Sequence, residues 1–237
     1  MRQVDGGHGL SLPLRYRLTV RMLHTDSMKV KYRMARAEKT KQDLRSAATR
    51  QRLVAAARGL FAERGYSGVG TEEIVQAAGV TRGALYHQFR DKADLFAAVA
   101  EAVQAEIAQR IAAGAQADGA PDPMGALHAG IRRFLEVCAD PAVERIILLD
   151  APAVLGWQAW RDLAGRYGLG LLQHTLQAAI DAGAITRQPV VPLAHVLIGA
   201  LDESALYVAR AEDPPAAREQ CTAILQRLLD GLTPSAG

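Results

Sequence analysis

Glycine cuts the segment from Arg50 to Phe89 into three pieces, each long enough for a helix and too short for much else. From Arg50 to Arg64, Leu53, Ala57, Leu60 and Phe61 fall at i, i+4, i+7 and i+8, the spacing of one apolar stripe on an amphipathic helix. Gly65 ends that stripe, since a residue that accepts positive φ suits the position just past a helix C-terminus. A second helix is expected over Thr71–Ala78. Gly70 is its N-cap, Glu73 its third residue, and its first turn is acidic, where the helix dipole favours negative charge. Gly79 then permits a tight turn, and Thr81 caps a third helix that runs to about Phe89.

Two short helices around a glycine turn, from Thr71 to Phe89, suit the major groove of DNA. The groove admits one α-helix, and the helix before it braces across the backbone. In that arrangement Ile74, Val75 and Ala78 face the core and Val80 and Leu85 close it from the other side, while Thr81, Arg82, Ala84, Tyr86 and His87 face outward. Gly83 has two readings. A glycine inside a helix costs roughly 0.5–1 kcal/mol against alanine. Either a close approach to a phosphate backbone explains it, or a frayed first turn tolerates it.

The rest of the chain reads as helix after helix. A long fourth one starts near Lys92, with Leu95, Val99, Val103, Ile107 and Ile111 four apart, and fades at Gly114. A loop is expected from Gly114 to Pro123. Helices then follow at about Pro123–Ala139, Pro141–Leu149, Gln158–Ala182, Pro192–Ala211 and Pro214–Leu232. Several begin at proline, whose missing N–H costs nothing there. The chain is alanine-rich, only 5% aromatic, and carries neither a strand pattern nor an internal repeat. The expected class is all-α.

Charge is divided unevenly. Residues 1–100 hold 18 Lys and Arg against 9 Asp and Glu, a balance of +9, whereas 101–237 hold 10 against 16, a balance of −6. Either a basic nucleic-acid-facing module joins an acidic body, or a basic tail skews the count. Residues 1–45 are basic and aperiodic and are expected to be disordered. Met34 is a natural beginning, so that Met1–Arg33 is expected to be an over-extended start. The arm from Lys29 to Arg52 either adds minor-groove or phosphate contacts or is a solvated tail.

Cys138 and Cys221 form no CxxC and read as buried free thiols of a reducing cytoplasm. No uninterrupted apolar run approaches the ~18–20 residues of a membrane span, so no membrane partner is expected. No nucleophile–base pair, phosphate-cradling glycine loop or metal-ligand spacing is visible, so neither enzyme, cofactor nor metal is expected. Asp202-Glu203 reads as the polar edge of an interface rather than as acid–base or metal chemistry.

The runs FAERGY (Phe61–Tyr66) and TEEIVQAAGVTRGALYHQFRDKADL (Thr71–Leu95) resemble the N-terminal domain of the tetracycline-repressor (TetR) family. The likeness extends from Thr49 to near Gln109. It is specific, because the turn glycine, Thr-Arg-Gly, Leu-Tyr, Phe and Asp-Lys all occur in family order. The resemblance implies a three-helix DNA-binding domain over 46–95 and a helical bundle over 96–237 for ligand binding and dimerisation. It implies a cytoplasmic homodimeric repressor on a palindromic double-stranded operator, released by a small-molecule effector. A regulator answering to a protein partner is the alternative, and a helical enzyme a remote one. Position by position, Thr81, Arg82, Gly83 and Ala84 fall where the family meets base edges and phosphates. Tyr86 and His87 match a backbone-contacting pair, and Lys92 a phosphate-binding lysine. The family has Ser or Thr where this chain has Gly70, so Thr71 is the candidate for the missing hydroxyl contact. Arg82 either pairs with a guanine edge or contacts phosphate.

In the C-terminal part Trp160, Tyr167 and His174 recur every seven residues and so share roughly one side of a helix. With Trp157, Phe134, His128 and Tyr207 they either line a ligand pocket or fill an ordinary core. The last two helices carry stripes through Val196, Ala200 and Leu206 and through Ile224, Leu228 and Leu229. They are the expected dimer interface.

Overall fold

In a computed structural model of the chain, residues 42–117 and 122–234 are described; they are helical, with no strand among them. The residues divide into two units, 1–49 and 50–237. Of the first only 42–49 is described, and it is helical, where disorder was expected to reach residue 45. The expectations for residues 1–41, including the start at Met34 and the arm from Lys29 to Lys41, lie outside the described residues.

The second unit opens on α1 (residues 50–64), which buries Leu53, Ala57 and Phe61. Next come α2 (Thr71–Ala78) and α3 (Arg82–Gln88), as the glycine punctuation predicts. Gly65 (φ 71°) and Gly79 (φ 59°) both sit in the left-handed region, where a Cβ is unfavourable. Arg52 of α1 donates from Nη2 to the carbonyls of Ala78 (2.6 Å) and Gly79 (2.9 Å), supplying a donor to the unsatisfied end of α2. Ile74 and Leu85, fully buried, complete the small core between the three helices.

α4 (Lys92–Ala117) spans 26 residues and so about 39 Å at 1.5 Å per residue, running from this core into the body of the protein. Leu95, Val99, Val103 and Ile107 are buried along it. Sequence periodicity ends it at Gly114, but the helix continues three residues further. A Cβ on Gly114 would lie 2.6 Å from Arg133 Nε, so the glycine admits the guanidinium of the neighbouring helix.

The body packs α5 (Pro123–Cys138), α9 (Gly170–Asp181), α10 (Val190–Ala209) and α11 (Pro214–Asp230) against one another, with α4 along α5. Three helices start at an Asp-Pro pair. Asp122, Asp140 and Asp213 accept from the N–H of Gly125 (2.7 Å), Ala142 (3.0 Å) and Ala216 (3.1 Å). Each proline occupies the first helical position, where no donor is needed.

Between α5 and α9 the helices are not regular. α6 (Pro141–Val143) widens into a π-helical segment, π1 (Glu144–Asp150), which passes directly into α7 (Ala151–Leu155). A helix stopping at Leu149 was expected. It continues to Gly156 (φ 84°), with the proline at 152 in the first turn after the widened segment. Beyond Gly156, α8 (Trp157–Ala164), π2 (Gly165–Leu169) and α9 form one unbroken helical path in place of the expected uniform helix. α10 is long and apolar enough by length and composition to cross a membrane, although His195, Asp202 and Glu203 interrupt its apolar run. It carries Asp202 buried among its apolar residues and packs against α9 and α11.

Gly79→Ala should lower stability by about 1–2 kcal/mol. It forces a side chain into a left-handed position and sets a Cβ 2.9 Å from the Arg52 guanidinium. Chemical denaturation of the two proteins checks this; equal midpoints would refute it.

Candidate nucleic-acid interface and internal cavity

α3 is seated by two devices and leaves one face bare. Its Leu85 is fully buried, and its N-cap Thr81 accepts through Oγ1 from the N–H of Ala84 at 3.2 Å. Outward, Thr81, Arg82, Gly83, Tyr86 and His87 are exposed and Ala84 is half-buried. The structure therefore brings six of the eight candidate DNA-contacting residues onto one short helix and its cap. Arg82 pairs with Glu72 of α2 at 2.9 Å, and its guanidinium stands 5.6 Å from the centre of the Tyr86 ring. Both partners of that pair are about two-thirds exposed, so it contributes at most ~1 kcal/mol and exchanges readily for an external anion. A Cβ on Gly83 would meet only Thr81 Oγ1 at 3.9 Å, so nothing inside the protein requires glycine there.

The start of α2 works without a capping side chain. Glu73 Oε2 accepts from the Gly70 N–H at 2.9 Å while Oε1 accepts from Arg64 at 2.8 Å. That is the half of a capping box a glycine can provide. The Arg64 hydrogen bond, then the Gly70 N–H, hold the Glu73 carboxyl below its ordinary range. Thr71, half-buried, is the first residue of the helix.

Lys92 is placed differently from the seven others. Its ammonium donates to the carbonyls of Tyr66 and Val69, both at 3.0 Å, and lies 4.0 Å from the centre of the Tyr66 ring. Half-buried, it fastens the first turn of α4 to the loop between α1 and α2. Two of its three donors are spent inside the protein. That loop is held from the body as well, because Tyr66 N–H donates to Asp150 Oδ2 in π1 at 2.7 Å. The Tyr66 ring packs against Phe61 and Phe96, with centroids 5.8 and 5.2 Å away.

The body holds a partly open cavity of about 140 Å³ bounded by α4, α5, π1, α8, π2, α9, α10 and α11. Phe134, Trp160 and Tyr167 line it, as the sequence suggested. The other four pocket candidates do not, and each for a definite reason. Trp157 follows the Gly156 turn, is 58% exposed and lies over Trp160 from outside, with centroids 4.9 Å apart. His174, on α9, lies off the side that carries the lining residues Leu171, Leu172 and Thr175. It is exposed. His128 is half-buried between α5 and α11, its Nε2 2.9 Å from Asp230 Oδ1 but out of line for a hydrogen bond. Tyr207 is 57% exposed on the outer face of α10.

Sequence reasoning missed the polar part of the lining. Gln104 on α4 and Asp202 on α10 are 8% and 7% exposed. Asp202 is not the edge of an interface: its Oδ2 accepts from Arg161 Nη1 at 2.9 Å, while Glu203 alone faces out. Burial pushes its carboxyl up to about 6, against the pull of Arg161. A signal was present, since Asp202 follows the apolar run from Val196 to Leu201. Trp160 lines the cavity, and its indole N–H is buried without a partner in the protein. Cys138, also in the lining, is a free thiol whose pKa is driven far up, first by burial and then by Asp202. Cys221 is free and half-buried. No group of metal-ligating side chains occurs among the described residues.

α10 and α11 each turn two kinds of face outward and inward. Leu206 and Leu229, expected at a dimer contact, are buried in the body at 6% and 1% exposure. Val196, Tyr207, Ile224 and Leu228 stay about half or more exposed. Val196 and Tyr207 are eleven residues apart, three helical turns, and so lie on one side of α10.

Residues 53–99 match the family model for bacterial regulatory proteins of the tetR family. Residues 124–232 match that for the tetracyclin repressor-like C-terminal domain. The HTH-type transcriptional regulator AcrR of Shigella flexneri is 36% identical over 112 residues, 47% of this chain and 51% of AcrR. The chain thus spans about half the length of that curated relative. The crystal structure of a TetR-family transcriptional regulator from Pectobacterium atrosepticum is 35% identical, with 80% of this chain and 96% of that one covered and a TM-score of 0.71. RolR in complex with resorcinol covers 78% of this chain and 89% of its own at 21% identity and a TM-score of 0.63, a likeness of fold alone.

Because its carboxyl is raised from 3.8 to about 6, Asp202 binds a proton more tightly folded than unfolded. The stability this confers is complete below about pH 4 and is lost as pH rises through 6. Asp202→Asn should therefore gain on the wild type by up to about 3 kcal/mol between pH 4 and 7. Arg161, 30% exposed, can turn to water in the variant. Denaturation at both pH values measures the difference; a pH-independent offset would refute the assignment.

Proposed function

This chain belongs to the tetracycline-repressor (TetR) family of DNA-binding transcriptional regulators, and we propose that it is a homodimeric repressor that a small molecule releases from a palindromic operator. The observation that carries the reading is the bare outer face of α3, held from within by Leu85 and the Thr81 cap. Thr81, Arg82, Gly83, Ala84, Tyr86 and His87 meet the major groove and its flanking phosphates. Arg82 exchanges Glu72 for a guanine edge or a phosphate. The absence of any packing demand at Gly83 favours close approach of the DNA backbone over mere tolerance of a frayed turn. Thr71 offers its hydroxyl near the same backbone. Lys92 acts chiefly by setting the angle of the domain, with one donor left for a phosphate.

Two copies associate through the exposed side of α10 and α11, where Val196, Tyr207, Ile224 and Leu228 form an unpartnered apolar face. The cavity supports a small-molecule effector rather than a protein one, since it is mostly apolar with a few buried polar groups. π1 offers the route between the two sites: Ile147 and Leu148 line the cavity, and Asp150 at the end of the same segment holds Tyr66. A molecule that moves π1 moves the loop on which α2 and Lys92 rest. The reading places the protein in the cytoplasm, with no catalytic role.

Footprinting of the purified protein on its own upstream DNA, with a metabolite panel screened for release, tests this function. Protection of no palindrome would count against it. On such an operator, Arg82→Ala should lose ~1–3 kcal/mol of discrimination at one base pair. Gly83→Ala should weaken all operator sequences alike. Uniform loss in both would assign Arg82 to phosphate.

A charge at Leu228 should disrupt association without unfolding the body, since that side chain is 58% exposed in the single chain. Leu228→Glu is expected to sediment as a monomer and to lose at least tenfold in operator affinity. A dimeric variant would move the interface elsewhere.

A further inference from the structure

We propose that the cavity takes an uncharged, mostly apolar molecule of single-ring size whose one polar group both donates to and accepts from the side-chain amide of Gln104 on α4. This rests on the reading of the chain as a ligand-responsive regulator and adds the chemistry of the ligand.

Most polar side chains of the lining are already engaged. The Tyr167 hydroxyl donates to Glu101 Oε1 at 3.1 Å, and the Thr175 hydroxyl to the Leu171 carbonyl at 3.0 Å. Asp202 accepts from Arg161 at 2.9 Å. The Trp160 indole nitrogen is sealed by the atoms around it, out of a ligand's reach. Gln104 is the exception. It is 8% exposed, and among the described residues its amide has no hydrogen-bond partner. Neither amide atom is sealed in the way the Trp160 nitrogen is. Gln104 stands on the side of α4 that turns Ile107, Ala108 and Ile111 to the cavity, at i, i+3, i+4 and i+7, so its open amide is presented there.

A buried amide without partners is rare in folded proteins, because the loss of its hydration goes uncompensated. Its oxygen accepts and its NH2 group donates, so its complement is a neutral group that does both, a carboxamide or a hydroxyl. Size and charge narrow the class. About 140 Å³ is close to the ~150 Å³ engineered cavity that takes up benzene, so one ring with a short substituent fills it. Asp202 is the only Asp, Glu, Lys, Arg or His in the lining, and Arg161 already accompanies it. The lining keeps no spare cation for a carboxylate. A ligand cation would have to compete with Arg161 and be stripped of water, at a cost no other lining group offsets. The helix that holds the ligand's polar end also begins at Lys92, so the contact falls on the element that reaches the DNA-facing domain.

The test uses the full chain and four single-ring probes of nearly the same shape. Benzamide carries the neutral donor and acceptor, α-methylstyrene neither, benzoate an anion and benzamidine a cation. Binding is read by calorimetry on the wild type and on Gln104→Met, which keeps an unbranched side chain and removes the unpartnered amide. Benzamide should bind the wild type roughly tenfold more tightly than α-methylstyrene, the worth of one or two hydrogen bonds. Benzoate and benzamidine should bind at least tenfold more weakly than benzamide. Gln104→Met should lose the preference for benzamide while binding α-methylstyrene at least as tightly as the wild type. In crystals of the wild-type complex the benzamide carboxamide should lie within hydrogen-bond distance of Gln104.

Tighter binding of a charged probe, equal affinity of the wild type for benzamide and α-methylstyrene, a preference that survives Gln104→Met, or no binding by any probe would overturn the proposal. Because the ranking and the complex are read in wild-type protein, instability of Gln104→Met would not rescue it. Operator release is measured separately. Benzamide bound at Gln104 without release would leave the ligand class standing and remove the ligand-responsive reading. Release by other metabolites, with no probe bound, would do the reverse.

Discussion

Tyr66 is where the three-helix domain is joined to the body, through both of its backbone groups and its ring. Its N–H is held by Asp150 in π1, its carbonyl by Lys92 at the start of α4, and its ring by Phe61, Phe96 and the Lys92 ammonium. A charge-assisted hydrogen bond is worth roughly twice a neutral one, and two meet at the backbone of Tyr66. The orientation of α3 depends on this joint. α1, α2 and α3 share the core of Leu53, Ala57, Phe61, Ile74 and Leu85, and the loop that starts α2 is anchored here rather than by its own cap. Gly70 has no side chain to return the bond that Glu73 makes to it.

Much of the DNA-facing half was legible in the sequence because its structure is decided locally. Gly65 and Gly79 needed positive φ, Thr81 needed a free N–H three residues on, and Leu53, Ala57 and Phe61 needed one face. Such requirements are met within a few residues and leave a pattern. Lys92 was less legible. Its place in the motif was readable, but its two carbonyl partners lie 26 and 23 residues back and are fixed only by the tertiary fold.

The body was legible as a set of helices and much less so as a site. Phe134, Trp160 and Tyr167 reached the cavity, while His174 did not, because a seven-residue recurrence marks a helix side only roughly and the wall at that level is formed by Leu171, Leu172 and Thr175. Aromatic residues also drew attention away from the polar ones. In a lining that is mostly leucine, isoleucine and alanine, discrimination rests with the few groups able to donate or accept. Gln104, Asp202, Tyr167 and Thr175 carry such groups, and of these the aromatic search reached Tyr167 alone.

A π turn holds one residue more than the α turn it replaces, while the helix on either side keeps its seat. Both π1 and π2 border the cavity, contributing Ile147 and Leu148 from one and Tyr167 and Gly168 from the other. Loss or gain of a single codon in either stretch would therefore swing a different set of side chains inward, with no need to replace any residue. The sensing half of such a protein can diverge through chain length as well as through substitution. The frame that positions α3, whose helices are short and pinned at both ends, offers no comparable slack.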